Sequence, residues 1–257
     1  MTRLFGFKLF SLLTLLVTAC GGGTVEPTGL PAPSPTAIPF TSTPLPTFTP
    51  APTHTATSTP LPTLTPTPDP YAGLSIDDLR ARPYGGGEIS IIEILAVTDT
   101  FTRSLIAYPS DGLTIYGFMH TPYGPGPFPV VVVNHGYINP ANYQTLTYML
   151  RYASALAAAG FLVIHPDYRG YGASDDGPNP FRIGFAVDVL NLISLVKTLP
   201  NADPQAIGLF GHSMGGGISL RAITVSPEVK AALLYGSMSG DETANFAKIA
   251  EWSGDQT

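Results

Sequence analysis

A dense series of prolines between residues 24 and 70 limits where this chain can fold. The segment has 47 residues, of which 14 are Pro and 14 are Thr, and only Glu26 and Asp69 are charged. Each proline removes a backbone donor, and the segment has no apolar periodicity, so it cannot bury a core and favours extended polyproline II structure. We therefore interpret residues 20–70 as a linker and expect the globular domain at residues 71–257.

The residues before the linker have the pattern of a secretory signal. Arg3 and Lys8 provide a positive start, and residues 9–19 form an apolar run of 11 residues, whereas a membrane-spanning helix needs about 20. Residues 1–19 are therefore predicted to be a signal peptide.

The signal ends in the sequence VTAC, which resembles the lipobox of bacterial lipoproteins. In that family the cysteine is lipidated, which implies that Cys20 anchors an exported protein at the bacterial cell surface or membrane. The alternative is an ordinary signal peptide followed by an incidental cysteine.

Charge and cysteine content exclude several classes of function. The chain has 12 Lys and Arg against 18 Asp and Glu, and no cluster of basic residues; both observations argue against a nucleic-acid partner. Its single cysteine excludes an intramolecular disulfide, a cysteine-based zinc site and an iron–sulfur cluster within this chain.

Strand and helix patterns alternate along the globular part. Three strand-like segments open it, and from residue 129 onwards short buried strands alternate with helices, each followed by a turn or breaker. This order predicts an α/β fold with a mostly parallel sheet and helices on both faces. The predicted strands are 88–97, 101–108, 113–120, 129–134, 161–165, 206–210 and 231–235, and the predicted helices are 143–159, 182–199 and 214–225.

The strongest chemical motif lies between a predicted strand and a predicted helix. Gly211-His212-Ser213-Met214-Gly215 has the pattern G-x-S-x-G, which in this context is typical of a nucleophile elbow. The tight turn requires small residues at Gly211 and Gly215 and projects the Ser213 hydroxyl above the sheet. The alternative is a glycine-rich turn with an incidental serine.

Several stretches together resemble the α/β-hydrolase superfamily, and within it most nearly the prolyl oligopeptidase and dienelactone hydrolase branch. They cover most of residues 105–240. The stretches are SDGLTIYGFMHTP, PVVVVNHGY, DYRGYGASD, the helix with Val187-Asp188-Val189, and DPQAIGLFGHSMGG.

The resemblance assigns roles to residues outside the elbow. It implies that the backbone N–H groups of Tyr137 and Met214 form an oxyanion hole, with Gly136 allowing the backbone to approach the substrate. His135 is expected to hold this loop rather than to act as a base, although a role as a base is the alternative. Arg169 is expected to be a structural hydrogen-bonding residue, with substrate contact as the alternative.

The same resemblance predicts an acid and a histidine that follow the serine in the chain. All five histidines precede Ser213, and the acidic residues after it, Asp241, Glu242 and Asp255, come too early to follow the next strand. The catalytic Asp and His are therefore expected to be absent from this chain. We therefore expect a domain that is incomplete at its C-terminus, ends after its sixth strand, leaves an apolar sheet edge exposed and has little activity. Residues 241–257 are interpreted as the first helix of a lid.

These features predict an exported serine hydrolase that cleaves an ester or peptide bond through an acyl-enzyme on Ser213. Its expected partners are a small ester or short peptide and, through Cys20, a membrane. We expect no metal or organic cofactor, because a serine mechanism needs none. The alternative is a non-catalytic, lipid-anchored surface module that uses a hydrolase fold for binding.

Overall fold

The computed structural model describes Asp69 and residues 71–253, without the side chains of residues 252 and 253. The predicted signal peptide at residues 1–19, the lipidation site Cys20 and nearly all of the linker at 20–70 lie outside the described residues. Those interpretations therefore stay predictions.

The described residues form a seven-stranded mixed sheet with the order β1-β2-β3-β5-β4-β6-β7. The pairs β4–β5, β4–β6 and β6–β7 are parallel, and the pairs β1–β2, β2–β3 and β3–β5 are antiparallel. Five strands therefore run in one direction, which confirms the predicted mostly parallel sheet. The strands are β1 (Ser90–Val97), β2 (Phe101–Ser110), β3 (Leu113–Pro122), β4 (Phe128–Asn134), β5 (Leu162–Pro166), β6 (Ala202–His212) and β7 (Val229–Tyr235).

The described residues contain seven strands rather than the expected six. The first of them, predicted at residues 88–97, is the edge strand β1, which pairs antiparallel with β2. A tight turn closes this hairpin, since the Thr98 backbone N–H and hydroxyl both donate to the carbonyl of Phe101. Counted from β2, strand β7 is the sixth.

Helices cover both faces of the sheet, as predicted. Helix α2 packs on β3 and β5 on one face, and α3 and α4 pack on the other face against β2, β4 and β6. Within the described range no helix combines the length and apolar character needed to cross a bilayer. The helices are α1 (Ile76–Ala81), α2 (Leu150–Ala158), α3 (Ile183–Val196), α4 (Met214–Val225) and α5 (Glu242–Ser253), with 3-10 turns at Pro140–Asn142 and Pro180–Arg182.

The apolar core has two parts, one on each face of the sheet. The larger part lies under α3 and α4, and α3 is buried almost all round, as its continuous apolar sequence requires. The smaller part lies under α2 and includes Phe118, Val133 and Val163. Strand β7 is mostly exposed, with Leu233 at 58% and Tyr235 at 56% of their full accessibility.

The helix predicted at residues 143–159 is shorter in the structure, since α2 begins only at Leu150. Residues 145–149 form turns and bends, and Met149 has a left-handed backbone with φ of 61°. The hydroxyls of Tyr143 and Thr145 donate to Asp167. These tertiary hydrogen bonds compete with helix formation in this segment.

Candidate active site

Ser213 lies on the turn that joins β6 to α4, with φ of 53° and ψ of −119°. Non-glycine residues rarely adopt positive φ, and such strain persists only where the surroundings enforce it. Here the Ser213 N–H donates to the Tyr235 carbonyl at 3.1 Å, and the Ser213 carbonyl accepts the N–H groups of Gly216 at 2.9 Å and Met238 at 3.2 Å. The serine backbone is therefore held from both sides.

Both elbow glycines are required by close packing. A Cβ on Gly211 would lie 2.7 Å from the Gly216 Cα. A Cβ on Gly215 would overlap the carbonyl oxygen of Asn134 and lie 2.6 Å from that of His135. Asn134 ends β4 and His135 begins the loop after it, so the elbow packs directly on the point where this strand ends.

Two backbone donors lie beside the serine. A Cβ on Gly136 would lie 3.1 Å from the Ser213 Cβ, so this loop passes close to the nucleophile position. The next residue, Tyr137, and the first residue of α4, Met214, line one cleft. Among the described residues neither of their N–H groups has an acceptor, and a helix leaves its first N–H groups unpaired. Such a pair of donors suits a developing oxyanion.

His135 is fully buried and holds the loop after β4. Its Nδ1 lies 2.7 Å from the Gly136 carbonyl oxygen, and its Nε2 lies 3.1 Å from that of Asp167. Burial lowers the pKa of His135 to about 4. Because both ring nitrogens face carbonyl oxygens, the ring has no free nitrogen with which to accept the proton of Ser213.

His212 precedes the serine but points to another partner. Its Nδ1 lies 2.7 Å from the hydroxyl oxygen of Tyr148, and its ring stacks on Tyr235 with centroids 5.3 Å apart. Tyr148 also faces the loop after β4, since its hydroxyl would lie 3.1 Å from a Cβ on Gly136. Sequence reasoning missed Tyr148, because no motif surrounds it.

The two remaining described histidines lie inside the sheet. His120 accepts a 2.8 Å hydrogen bond from Arg103 Nε, and burial lowers its pKa to about 4. His165 stacks on Phe118 at 4.7 Å, and burial holds its pKa well below the usual value. Within the described part of the chain the Ser213 hydroxyl makes no hydrogen bond, so no general base is placed on it there.

A buried carboxylate supports the site from the end of β5. Asp167 accepts hydrogen bonds of 2.7 Å from the hydroxyls of Tyr143 and Thr145. Burial raises its pKa to about 6, even though both hydrogen bonds favour the charged form. Through these bonds and through its carbonyl on His135, Asp167 joins two loops that surround the serine.

Arg169 lies in a buried ion pair. Its Nη2 is 2.7 Å from Asp188 Oδ1 on α3, and its Nη1 donates to the Pro178 carbonyl at 2.7 Å. All of its side-chain nitrogens therefore bind protein acceptors, and the guanidinium fixes the segment after β5 to α3. Arg169 also lines the cleft beside Tyr137 and Met214, but its charge is already compensated by Asp188.

The cleft beside the oxyanion donors has a volume of about 450 Å³. Tyr171 and Phe185 supply its aromatic wall. Asn179, Arg182 and Asp176 supply polar groups. Within the described range no three His, Cys, Asp or Glu side chains are grouped so that they would hold a metal ion.

The family model for the alpha/beta hydrolase fold matches residues 129–256, about half of the chain. This range begins on β4 and contains the elbow, the loop after β4 and the cleft. The sheet order and the position of Ser213 after β6 agree with that match.

Three known proteins illustrate the likeness. The thiohydrolase apmlB of Arthrinium phaeospermum is 31% identical over 124 residues, which cover 47% of this chain and 38% of the relative. An uncharacterized 31.7 kDa protein of Escherichia coli is 28% identical over 149 residues, or 53% of this chain and 50% of the relative. The crystal structure of acetyl xylan esterase 1 from Thermoanaerobacterium sp. has a TM-score of 0.54 at 20% identity, and the match covers 68% of this chain and 60% of that one.

The chain spans about half the length or less of these two relatives. The structural likeness and the family match together show the α/β-hydrolase fold.

Proposed function

The chain belongs to the α/β-hydrolase superfamily, and from this premise we propose that it is an exported serine hydrolase that cleaves esters through an acyl-enzyme on Ser213. One observation carries the proposal. A strained serine on a glycine-bounded elbow lies beside two backbone N–H groups that have no acceptor among the described residues.

The chemistry follows from that placement. The Ser213 oxygen attacks the substrate carbonyl carbon, and the carbonyl oxygen becomes an oxyanion that accepts hydrogen bonds from the N–H groups of Tyr137 and Met214. When the tetrahedral intermediate collapses, the base that accepted the Ser213 proton gives it to the leaving oxygen, the carbon–oxygen bond breaks, and the alcohol departs while the acyl group stays on Ser213. Water then loses a proton to the same base and attacks the acyl carbon. The bond to the Ser213 oxygen breaks, the serine regains a proton, and the acid is released.

The proton of Ser213 needs an acceptor, and the four described histidines do not supply one. Both ring nitrogens of His135 face carbonyl oxygens and His212 is bonded to Tyr148, while the other two histidines lie within the sheet. The proposal therefore requires an imidazole that reaches Ser213 from outside the described residues. Without a base, serine hydrolases lose as much as about 10⁶-fold in rate.

The name of one similar protein, an acetyl xylan esterase, favours esters over peptides as substrates. A second similar protein is called a thiohydrolase, a name that supports hydrolysis without specifying an ester. The assignment to the prolyl oligopeptidase and dienelactone hydrolase branch, with its peptidases, rests on the sequence stretches alone. Comparison of p-nitrophenyl acetate with a short peptide p-nitroanilide tests this preference, and faster cleavage of the anilide would make the protein a peptidase.

Reaction with a fluorophosphonate probe tests the serine directly. We expect the intact protein, meaning a form that includes the segment supplying the imidazole to Ser213, to be labelled on Ser213, with the modified peptide identified by mass spectrometry. Ser213→Ala should abolish labelling. Ser226→Ala is the matched control, because Ser226 follows the far end of the same helix, and it should label like the parent protein.

The outcomes separate the two functions predicted from the sequence. Absence of label from a protein that unfolds cooperatively would overturn the hydrolase proposal and favour the non-catalytic surface module. Labelling at another serine would overturn the role of Ser213 while retaining a hydrolase.

Export and lipid anchoring form a separate part of the proposal, supported by the lipobox resemblance at Cys20. Expressed in a bacterium with its first 20 residues, the protein should partition into the detergent phase of Triton X-114 and incorporate labelled palmitate. Cys20→Ala should move it to the aqueous phase. Palmitate incorporation that persists in Cys20→Ala would exclude this anchor.

A further inference from the structure

The strained segment before α3 places a cation in the cleft beside the oxyanion donors. Phe181 and Arg182 have φ values of 51° and 61°, so two consecutive non-glycine residues adopt left-handed backbone. Such conformations persist where surrounding structure enforces them and are concentrated at functional sites. Arg182 lines the same cleft as Tyr137 and Met214.

The charge of Arg182 is not compensated by a carboxylate among the described residues. Its Nη1 donates to the thioether sulfur of Met238 at 3.2 Å, and a thioether is a weak, uncharged acceptor. Arg221 lies near enough to interact with it electrostatically, but Arg221 is itself paired with Glu242. The guanidinium therefore keeps donors for a further acceptor.

A second donor faces the same space. Asn179 also lines the cleft, and its Oδ1 accepts a 3.3 Å hydrogen bond from the Phe185 N–H. In the described part of the chain its Nδ2 donates to no acceptor. A planar guanidinium and a neighbouring amide N–H₂ together match the two oxygens of a carboxylate.

A carboxylate on the cleft lining disfavours ligands with two negative charges. Asp176 lies on the cleft lining and has no cationic partner within the described residues, although its Oδ1 accepts the Gly177 N–H at 2.8 Å. Its carboxylate would repel a dianionic phosphate more strongly than a monoanion. The opposite charges of Arg182 and Asp176 therefore favour a carboxylate that binds at Arg182.

We propose that Arg182 and Asn179 bind a carboxylate carried by the substrate, so that the preferred substrates are anionic esters such as half-esters of dicarboxylic acids. This specificity rests on the proposed function of Ser213. The aromatic side chains of Tyr171 and Phe185 line the same cleft and would contact the chain between the ester and the carboxylate.

Monoethyl glutarate and diethyl glutarate provide the matched substrates, because they differ in the free carboxylate. The intact protein should hydrolyse the monoester with the higher kcat/KM. Arg182→Gln should lower the ratio of kcat/KM for monoester over diester by about tenfold to a hundredfold, as expected for loss of a charged hydrogen bond. Arg182→Lys, which keeps the charge without the planar fork, should fall between.

Arg151→Gln is the control for a general change in charge, since Arg151 is exposed on α2, on the opposite face of the sheet from α3. It should leave the ratio unchanged. An unchanged ratio in Arg182→Gln, or an equal fall in Arg151→Gln, would overturn the carboxylate site.

Ligand binding to a variant that lacks the Ser213 hydroxyl tests the carboxylate site separately from the hydrolase proposal. Monoethyl glutarate should bind Ser213→Ala in calorimetry, and the added change Arg182→Gln should weaken binding by about tenfold or more. If neither ester is hydrolysed but this binding holds, the hydrolase proposal fails and the carboxylate site stands. If esters are hydrolysed without binding that depends on Arg182, only the carboxylate site fails.

Discussion

Asp167 and Asp188 are both completely buried close to the candidate site, yet their surroundings differ. Asp188 faces a cation that is almost as deeply buried, and its oxygens accept Arg169 Nη2 at 2.7 Å, the Arg169 backbone N–H at 2.9 Å and the Ser110 hydroxyl at 2.6 Å. Among the described residues, Asp167 accepts hydrogen bonds only from two hydroxyl groups. One buried carboxylate is thus compensated in charge and the other is not.

The neighbour that could compensate Asp167 is a histidine without a charge. His165 Nδ1 lies 4.0 Å from Asp167 Oδ1, but burial keeps the pKa of His165 well below its usual value, so the ring is neutral. This difference in charge compensation indicates that Asp188 stabilises the fold, because its ion pair connects α3 to the loop after β5. Asp167 instead holds the loops around Ser213, and because its charge is uncompensated the stability of the fold depends on pH.

The largest expected effect comes from removal of the cation beside Asp188. Arg169→Met leaves a buried carboxylate without a counter-charge and should lower the free energy of unfolding by about 3–5 kcal/mol. Urea unfolding measures the loss. Arg151→Met, at an exposed position, should change the free energy of unfolding by less than about 0.5 kcal/mol. A loss in Arg169→Met as small as that would mean that the ion pair does not fix the fold.

A smaller effect, which depends on pH, is expected at Asp167. Because its folded pKa is raised to about 6, its contribution to stability is complete below the unfolded pKa of about 3.9 and is lost as the pH rises through 6. The shift corresponds to about 3 kcal/mol. The stability of the parent protein relative to Asp167→Asn should therefore fall by about 2 kcal/mol from pH 4 to pH 7, because the unfolded carboxyl is already half ionised at pH 4.

Urea unfolding at both pH values measures this difference. Asp99→Asn, at an exposed position, is the control for a change of one charge. A difference between the parent protein and Asp167→Asn that stays constant from pH 4 to pH 7 would contradict the contrast between the two aspartates.

The smallest effects come from single hydroxyls. Thr145→Val removes one of the two donors to Asp167 and should raise the pKa of that carboxyl further, as an NMR titration of the side chain would detect. A pKa of Asp167 that does not change in Thr145→Val would show that the hydroxyl does not stabilise its charge.

Ser110→Ala removes one of several donors to Asp188 and should lower the free energy of unfolding by about 1 kcal/mol.

Much of the fold is readable from the sequence, because apolar periodicity follows burial directly. Each predicted strand overlaps an observed one, and the helix predicted at residues 214–225 has the observed bounds. The helix predicted at residues 143–159 fails at its start, since Tyr143 and Thr145 bind Asp167 across the structure. Periodicity within one segment carries no information about such a distant partner.

In the candidate site, too, some residues can be predicted from local sequence and others are placed only by the tertiary fold. Ser213 and its flanking glycines follow a motif whose spacing is fixed by the tight turn, so the sequence indicates them. Arg182 and Asn179 lie in a segment with left-handed residues, one of them a phenylalanine, and nothing in their local sequence predicts that backbone. Tyr148 likewise reaches His212 only through the tertiary fold.

The close packing of Gly215 against the carbonyl oxygens of Asn134 and His135 has a consequence for how this protein could evolve. The serine and the oxyanion donors lie on two loops that touch without room for a methyl group, so a larger residue at this contact would separate them. Selection for new substrates would have to leave this contact unchanged. Variation would instead accumulate among the partly exposed residues of the cleft lining outside this contact, such as Arg182 and Asn179.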